Sequence, residues 1–369
     1  MSGVLYSLEH SRIAKAVGGV VGLGFNPVVS GALLAFLLRA PPHVLAQTLQ
    51  RVSLPANQDL TTAKTVLQVL LGIGLVRAVN RKLSDMAANA WRWGPAPGWD
   101  WPREVAVVTG GCSGIGLAIV HKLRARRVRV AVLDVQPAPR ELARDDGVRY
   151  YKCDVTSSAS VAEVAAAIRA DLGDPTILIN NAGIAVPTNI LDISEDALRR
   201  IFGVNTMCHW LTCQQFLPAM IRADKGHVVT IASVASFVSL PGHADYGATK
   251  ASALAFHEAL RTELRHAYDA PNVLATVVHP NFVATPLLTD FEQHLKDGGV
   301  RMLTPEQVAA DTTERIFARR GGQVIIPKSS AGTSAVRGWP TWLQVLIHDV
   351  LGARTAKMNA DKKRGTARK

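Results

Sequence analysis

Tyr246 and Lys250 stand four residues apart in the run YGATK, which opens a long amphipathic stretch. On a helix that spacing puts both side chains on one face. A lone phenol has a pKa of about 10 and is a poor acid or base at neutral pH. A neighbouring ammonium stabilises the phenolate and brings proton transfer within reach. Ser233 ends a β-branched run shortly before the pair, where its hydroxyl can hold a substrate oxygen. Plain surface helices also carry Tyr and Lys at this spacing, so the pair gains meaning only beside a second motif.

That motif is TGGCSGIG, residues 109–116, between the run VAVVTG and the helical stretch LAIVHKLRA. Gly110, Gly114 and Gly116 allow a backbone to approach a pyrophosphate closely, and the following helix, opening around Ser113 and Ile115, offers free N–H groups and a positive dipole end. Asp134 closes the next β-branched run. A carboxylate there accepts hydrogen bonds from both adenosine ribose hydroxyls and repels a 2′-phosphate, whereas Cys112 and Ser113 supply no cation to hold one. NAD is favoured over NADP on that ground; the competing reading of Asp134 is a strand-end cap. Arg126 and Arg127 precede the strand and read as a solvated face.

The elements that must position these groups follow from periodicity. Strands are expected at 105–110, 128–135, 148–155, 176–183, 227–233, 273–280 and 323–327, with amphipathic helices such as SVAEVAAAIRADL between them. Alternation of strand and helix implies an α/β fold, a doubly wound parallel sheet covered on both faces, of about 220 residues. The whole chain has 369 residues, a formal net charge of +12, 48% hydrophobic and 19% charged residues. That balance excludes disorder, and the glycines and prolines show no fibrous repeat. Cys112, Cys153, Cys208 and Cys213 lack zinc-site pairing and disulfide density, so they read as reduced, small hydrophobes. His209, His243, His257 and His279 show no ligand spacing and read as packing or surface residues, with no metal implied.

Residues 105–328 resemble the short-chain dehydrogenase/reductase family. The resemblance rests on TGGCSGIG, CDVT (153–156), NNAG (180–183), Asn205 in FGVNT, Ser233, the Tyr246–Lys250 pair and HPNFVATP (279–286). It implies a Rossmann-type, seven-stranded sheet with Tyr246 as catalytic acid/base. Lys250 would lower its pKa and bind the nicotinamide ribose, Ser233 would orient the carbonyl or hydroxyl, and Asn205 would support a water relay to Lys250. Cofactor contacts would come from the glycine loop (Gly110, Ser113, Gly114, Ile115, Gly116) and from Asp134. Asp154 and Val155 would lie at the adenine, Asn181, Ala182 and Gly183 along the floor, and Val283 and Thr285 at the carboxamide. Pro280-Asn281 stands where the family has Pro-Gly; Asn tolerates a left-handed backbone, so the turn is expected to survive. The segment 284–303 is expected to form a substrate lid.

The two ends of the chain point to a membrane. Residues 16–38 carry no formal charge and are long enough for a bilayer span, though Asn26-Pro27 implies a kinked helix or a re-entrant hairpin. The second apolar stretch, TVLQVLLGIGLV, is too short to span and suits a buried or interfacial helix. Residues 1–90 are thus a hydrophobic membrane-associated segment, and 91–104, WRWGPAPGWDWPRE, a stiff linker whose tryptophans sit at an interface or on the following domain. In 329–369, Trp339, Trp342, Leu343, Leu346, Ile347, Val350 and Leu351 form one apolar stripe, and KMNADKKRGTARK adds six Lys/Arg against one Asp. This suits an anionic bilayer or a helix docked on the domain or a dimer partner; no nucleic-acid motif accompanies the charge. The layout resembles the branch of the family acting on retinoids, steroids and other lipophilic alcohols, attached to endoplasmic reticulum or lipid droplets with the catalytic domain facing the cytosol. Family members also form homo-oligomers. Two other readings stay open: an NADPH-dependent carbonyl reductase tailoring a secondary metabolite, and a non-catalytic lipid-surface scaffold.

Overall fold

The computed structural model describes residues 23–51, 55, 59–288, 292 and 301–366, with side chains to residue 353. Two compact units divide the chain, Met1–Ala87 and Ala88–Lys369.

Among the described residues of the first unit, three helices run in order: α1 (Pro27–Arg39), α2 (Pro42–Arg51) and α3 (Thr61–Ala88). α1 starts where the sequence dictates. Pro27 has no N–H to lose at the first helical position, and Asn26 Oδ1 accepts from the Val28 N–H at 3.0 Å. The Asn-Pro pair therefore ends one segment and begins another, and α1 has only 13 residues. Residues 16–22 of the first stretch lie outside the described residues, and among those described the long apolar helix is the second stretch. TVLQVLLGIGLV continues through Arg77, Arg81 and Lys82 into a 28-residue helix, because Lys and Arg are good helix formers. At about 1.5 Å per residue α3 is about 42 Å long, and it is the one helix among the described residues long and apolar enough to cross a membrane. Gly74 is needed within this unit, since a Cβ there would lie 2.6 Å from the Phe25 carbonyl oxygen.

The second unit is built on a seven-stranded parallel sheet in the order β3-β2-β1-β4-β5-β6-β7. The strands are β1 (Val105–Thr109), β2 (Arg129–Asp134), β3 (Val148–Lys152), β4 (Ile177–Asn180), β5 (Gly226–Ile231), β6 (Val273–Pro280) and β7 (Gly322–Ile326). The expected sheet is borne out. Strands β1, β4, β5 and β6 are buried at every position, because helices cover both faces. Alternate side chains serve opposite cores: Ala106, Val108, Ile177 and Ile179 join α4 (Gly114–Arg124) and α9 (Pro305–Phe317). Val107 and Leu178 join α5 (Ser158–Leu172), α7 (Cys208–Arg222) and α8 (Ala244–His266). A further short helix, α6 (Glu195–Phe202), precedes α7, and α10 (Thr341–Thr366) follows a 3-10 segment at Lys328–Gly338.

Strand order reverses between β1 and β4, which opens a crevice at the carboxyl ends of the strands. β3 stops at Lys152 and β4 at Asn180, so Cys153–Val155 and Asn181–Gly183 lie in the loops that rim the crevice. In the Trp-rich segment, Trp99 and Trp101 pack against the core beside Phe317, while Trp91 and Trp93 are exposed.

Burial holds the pKa of His209, His227 and His257 down to about 3. In the unfolded chain each binds a proton near pH 6.5, so over that window the unfolded state holds more protons and stability falls as pH falls. The melting temperature is expected to decline steadily from about pH 6.5 downwards. Replacing His209, whose ring lies 5.5 Å from that of Phe256, by Phe should make the decline shallower; an unchanged profile would contradict this account.

Candidate active site

β1 runs straight into the glycine loop. Gly110 and Gly114 have φ of +65° and +52°, the left-handed region that glycine adopts at little cost. Gly116 is needed for a different reason: a Cβ there would lie 2.1 Å from the Gly110 carbonyl oxygen. Ser113 caps α4 with its backbone, and the first intrahelical bond runs from Leu117 N–H to Ser113 C=O at 3.1 Å. The N–H groups of Gly114, Ile115 and Gly116 therefore precede the helical ladder, as an anion site requires.

Thr109, the last residue of β1, ties this loop to its neighbour. Its Oγ1 accepts from the Asn181 and Ala182 N–H groups, each at 3.0 Å, and donates to the Ile179 carbonyl at 3.3 Å. Asn181 returns the contact through Nδ2, donating to the carbonyls of Thr109 (2.9 Å) and Gly110 (3.0 Å). The Asn181 side chain thus braces the crevice floor from below.

Asp134 ends β2, and its two carboxylate oxygens accept from the Cys112 and Gln136 N–H groups at 3.0 Å each. It caps the strand end and lines the crevice. Burial and the Asp134 charge push the Cys112 thiol up to about 12. Arg126 and Arg127 are exposed. Asp154 Oδ1 accepts from the Thr156 N–H (2.9 Å) and hydroxyl (2.7 Å), and Val155 beside it is buried.

At the other end of the crevice, β5 and the N-terminal part of α8 meet. The Ser233 hydroxyl accepts from the Ala235 N–H at 3.1 Å and donates to the Pro280 carbonyl at 3.4 Å, and it shares the cavity wall with Tyr246. Burial raises the Tyr246 pKa, and the Ser233 hydroxyl offsets part of that rise. The Lys250 ammonium donates to the Ile231 carbonyl at 3.0 Å and lies 5.6 Å from the centroid of the Tyr246 ring. Burial lowers Lys250 to about 8, so it is still mostly charged at neutral pH.

One cavity of about 970 Å³ connects these ends. Its wall includes Gly110, Ser113, Gly114, Ile115, Asp134, Asp154, Val155, Asn181, Ala182, Gly183, Ser233, Tyr246, Lys250, Val283 and Thr285. Two residues expected with them stand behind the wall: Gly116, under the loop, and Asn205. Asn205 sits in a turn of π-helix at Gly203–Met207 and is buried. Its Oδ1 accepts from the Ile184 N–H, and its Nδ2 donates to the Ile184 carbonyl, each at 2.8 Å, and to Thr249 Oγ1 at 3.2 Å. It clamps the loop after β4 to α8, a positioning part that the motif alone does not disclose.

Other differences concern the rim. Asn281 does not take the left-handed conformation; its Oδ1 accepts from the Phe282 N–H at 3.0 Å and its N–H donates to the Ile326 carbonyl at 2.8 Å, which makes the turn without glycine. Val283 bridges to Leu303, and Thr285 lies against Gly114. Most of the expected lid, 289–291 and 293–300, lies outside the described residues, while Leu287 and Leu288 line the cavity. Of the histidines, His243 lines the cavity and His279 is buried, with Nδ1 2.9 Å from the Ser233 carbonyl and Nε2 3.1 Å from Gln323 Nε2. The described residues hold no cluster of metal ligands.

Residues 104–296 match the family described as short chain dehydrogenase. The chain belongs to the short-chain dehydrogenase/reductase family. It is similar to dehydrogenase RED2 of Cochliobolus heterostrophus, 37% identical over 230 residues that cover 62% of this chain and 84% of the relative. It is also similar to epidermal retinol dehydrogenase 2 of Mus musculus, 33% identical over 237 residues covering 62% of this chain and 74% of the relative. Among solved structures, a short-chain dehydrogenase/reductase of Burkholderia phymatum in complex with NAD is 26% identical, with a TM-score of 0.58 over 67% of this chain and 97% of that one. This short-chain dehydrogenase/reductase is an NAD(P)-dependent oxidoreductase.

Thr109, Thr249 and His279 join the site through contacts only the structure shows. Thr109→Val would leave two amide N–H groups without their acceptor, at a cost of about 1–3 kcal/mol each. Denaturant titration is expected to show that loss, together with weaker dinucleotide binding; wild-type stability and binding would contradict the bracing role.

Proposed function

We propose that the protein transfers a hydride between NAD(H) and a lipophilic alcohol, ketone or aldehyde at a membrane surface. The observation that carries this reading is the gathering of Ser233, Tyr246 and Lys250 inside a cavity whose outer part is apolar, formed by Pro187, Val238, Leu240, Phe282, Leu287, Val336, Ile347 and Leu351.

The residues present fit a dinucleotide. The glycine loop and the first N–H groups of α4 suit the pyrophosphate, Asp134 the adenosine ribose, and Gly183, where a Cβ would lie 3.6 Å from Lys250 Nζ, leaves the floor open for the nicotinamide ribose. From Gly110 to Thr156 no Lys or Arg lines the cavity, which favours NAD over NADP. When bound, the nicotinamide supplies or accepts the hydride.

The chain's own part is the proton. Ser233 holds the substrate oxygen beside Tyr246, and Tyr246 gives or takes the hydroxyl proton at that oxygen. The Lys250 charge favours the phenolate that remains after donation. His279 and Pro280 fix the Ser233 backbone and hydroxyl, and Asn205 with Thr249 fixes the start of α8. The apolar helix α3 and the basic tail support attachment to a membrane, and endoplasmic reticulum or lipid droplet is the compartment proposed, with the catalytic unit facing the cytosol and the chain forming a homo-oligomer.

Fluorescence titration of the full chain with NADH and NADPH tests the cofactor. NADH is expected to bind more tightly, and Asp134→Ala to shrink the difference; tighter NADPH binding would move the reductase reading to first place. Tyr246→Phe is expected to lower kcat about 100- to 10,000-fold while NADH affinity stays within about threefold. A folded wild-type chain that binds neither dinucleotide would leave the scaffold reading standing.

A further inference from the structure

The expected single apolar stripe of α10 divides in two. Leu343, Ile347 and Leu351, four apart, are half-buried, and Ile347 and Leu351 belong to the cavity wall. On the adjoining arc Trp342, Val345, Leu346 and Val350 are exposed, Trp342 to 69%. The same arrangement recurs on a segment far away in sequence. Ala185 and Pro187 line the cavity, whereas Val186, Ile190 and Leu191 beside them face outwards, Leu191 at 96% exposure. Leu287, after β6, does both, lining the cavity and standing 39% exposed. Two segments therefore each send one apolar set into the cavity and another into the surroundings, and a third adds Leu287, which does both. A soluble enzyme with a water-borne substrate gains nothing from such a rim, and exposed apolar patches mark contact surfaces.

We propose that this rim is seated on a lipid bilayer and that substrate enters the cavity directly from the lipid, passing the outer arc of α10 and meeting Ile347 and Leu351 first. Two features of the chain select a bilayer over a protein partner. The catalytic unit begins where α3, an apolar 28-residue helix, ends. The sequence after the apolar part of α10 carries six Lys/Arg and one Asp over 357–369, the charge that anionic headgroups attract. Apolar residues on one arc with cations next to them describe an interfacial helix; here its other arc is a wall of the active cavity. The inference rests on the lipophilic-substrate reading above and adds the route and the residues.

The experiment uses the full chain with vesicles of phosphatidylcholine and phosphatidylserine. Brominated acyl chains are expected to quench its tryptophan fluorescence, and Trp342→Phe to remove a distinct part of that quenching. In parallel, Leu346→Glu, which touches the outer arc only, is expected to raise KM for vesicle-borne 1-dodecanol about tenfold, the loss of one apolar contact of roughly 1.4 kcal/mol. Its kcat/KM for water-soluble cyclohexanol and its NADH affinity should stay unchanged, and it should still sediment with the vesicles. Should the wild-type chain sediment with vesicles while Trp342→Phe leaves the quenching intact, the rim faces water or a protein and the inference fails, although membrane attachment survives. Should the wild-type chain not sediment at all, the membrane reading itself fails. Both outcomes are read without turnover of any alcohol.

Discussion

The buried ammonium of Lys250 is the constraint around which the site is organised. Removing a cation from water costs several kcal/mol unless polar groups receive it. Here the Ile231 carbonyl at the end of β5 takes one N–H, and burial still brings the pKa to about 8. That carbonyl is free for the purpose because β5 ends there. α8 must then cross close enough for Nζ to reach it, and Ser236 Oγ holds the helix in place through the Lys250 carbonyl at 2.8 Å. Tyr246, one turn earlier, is carried to the same spot. A cation kept at the edge of its charged range is responsive to the charge beside it, which a group in bulk water would not be.

Sheet order supplies the second half. β4 lies between β1 and β5, so the loop after β4 has the glycine turn on one side and the Lys250 site on the other. Its backbone is held from both: Thr109 and Asn181 bind it to β1, and Asn205 binds Ile184 to α8. The floor of the crevice is thus a strip of backbone clamped at two points by side-chain amides and a hydroxyl. Polar groups whose hydrogen bonds are made, here mostly to backbone, leave little unsatisfied polarity and little freedom to drift.

What could be read from the chain and what could not divide along a physical line. The seven strands, their parallel pairing and the glycine turn are local or periodic features, and the residues around Tyr246 and Lys250 announce themselves by spacing. Asp134 was visible as a charge at a strand end, but not as an acceptor for Cys112 and Gln136. Asn205 and His279 act through partners 21 and 46 residues away, and a one-dimensional pattern holds no trace of such pairings. The apolar stretches misled in a different way. Counting uncharged residues ended the run after Lys64 at Arg77 and made it too short to span, yet the helix continues through Arg77, Arg81 and Lys82. Charge ends a hydropathy window without ending a helix.

The C-terminal helix shows the same limit from the other side. A stripe that includes Trp342, Leu343, Leu346, Ile347, Val350 and Leu351 is wide enough for two contacts, and periodicity cannot say that each edge has a different neighbour. The family match ends at residue 296, whereas Val336, Ile347 and Leu351 of the cavity wall come after it. The apolar part of the wall is thereby shared between the family-matched part, which supplies Pro187, Val238, Leu240, Phe282 and Leu287, and the residues after it. Changing Val336, Ile347 or Leu351 need not disturb Lys250, because none of the groups that receive its ammonium or fix α8 lies beyond residue 296.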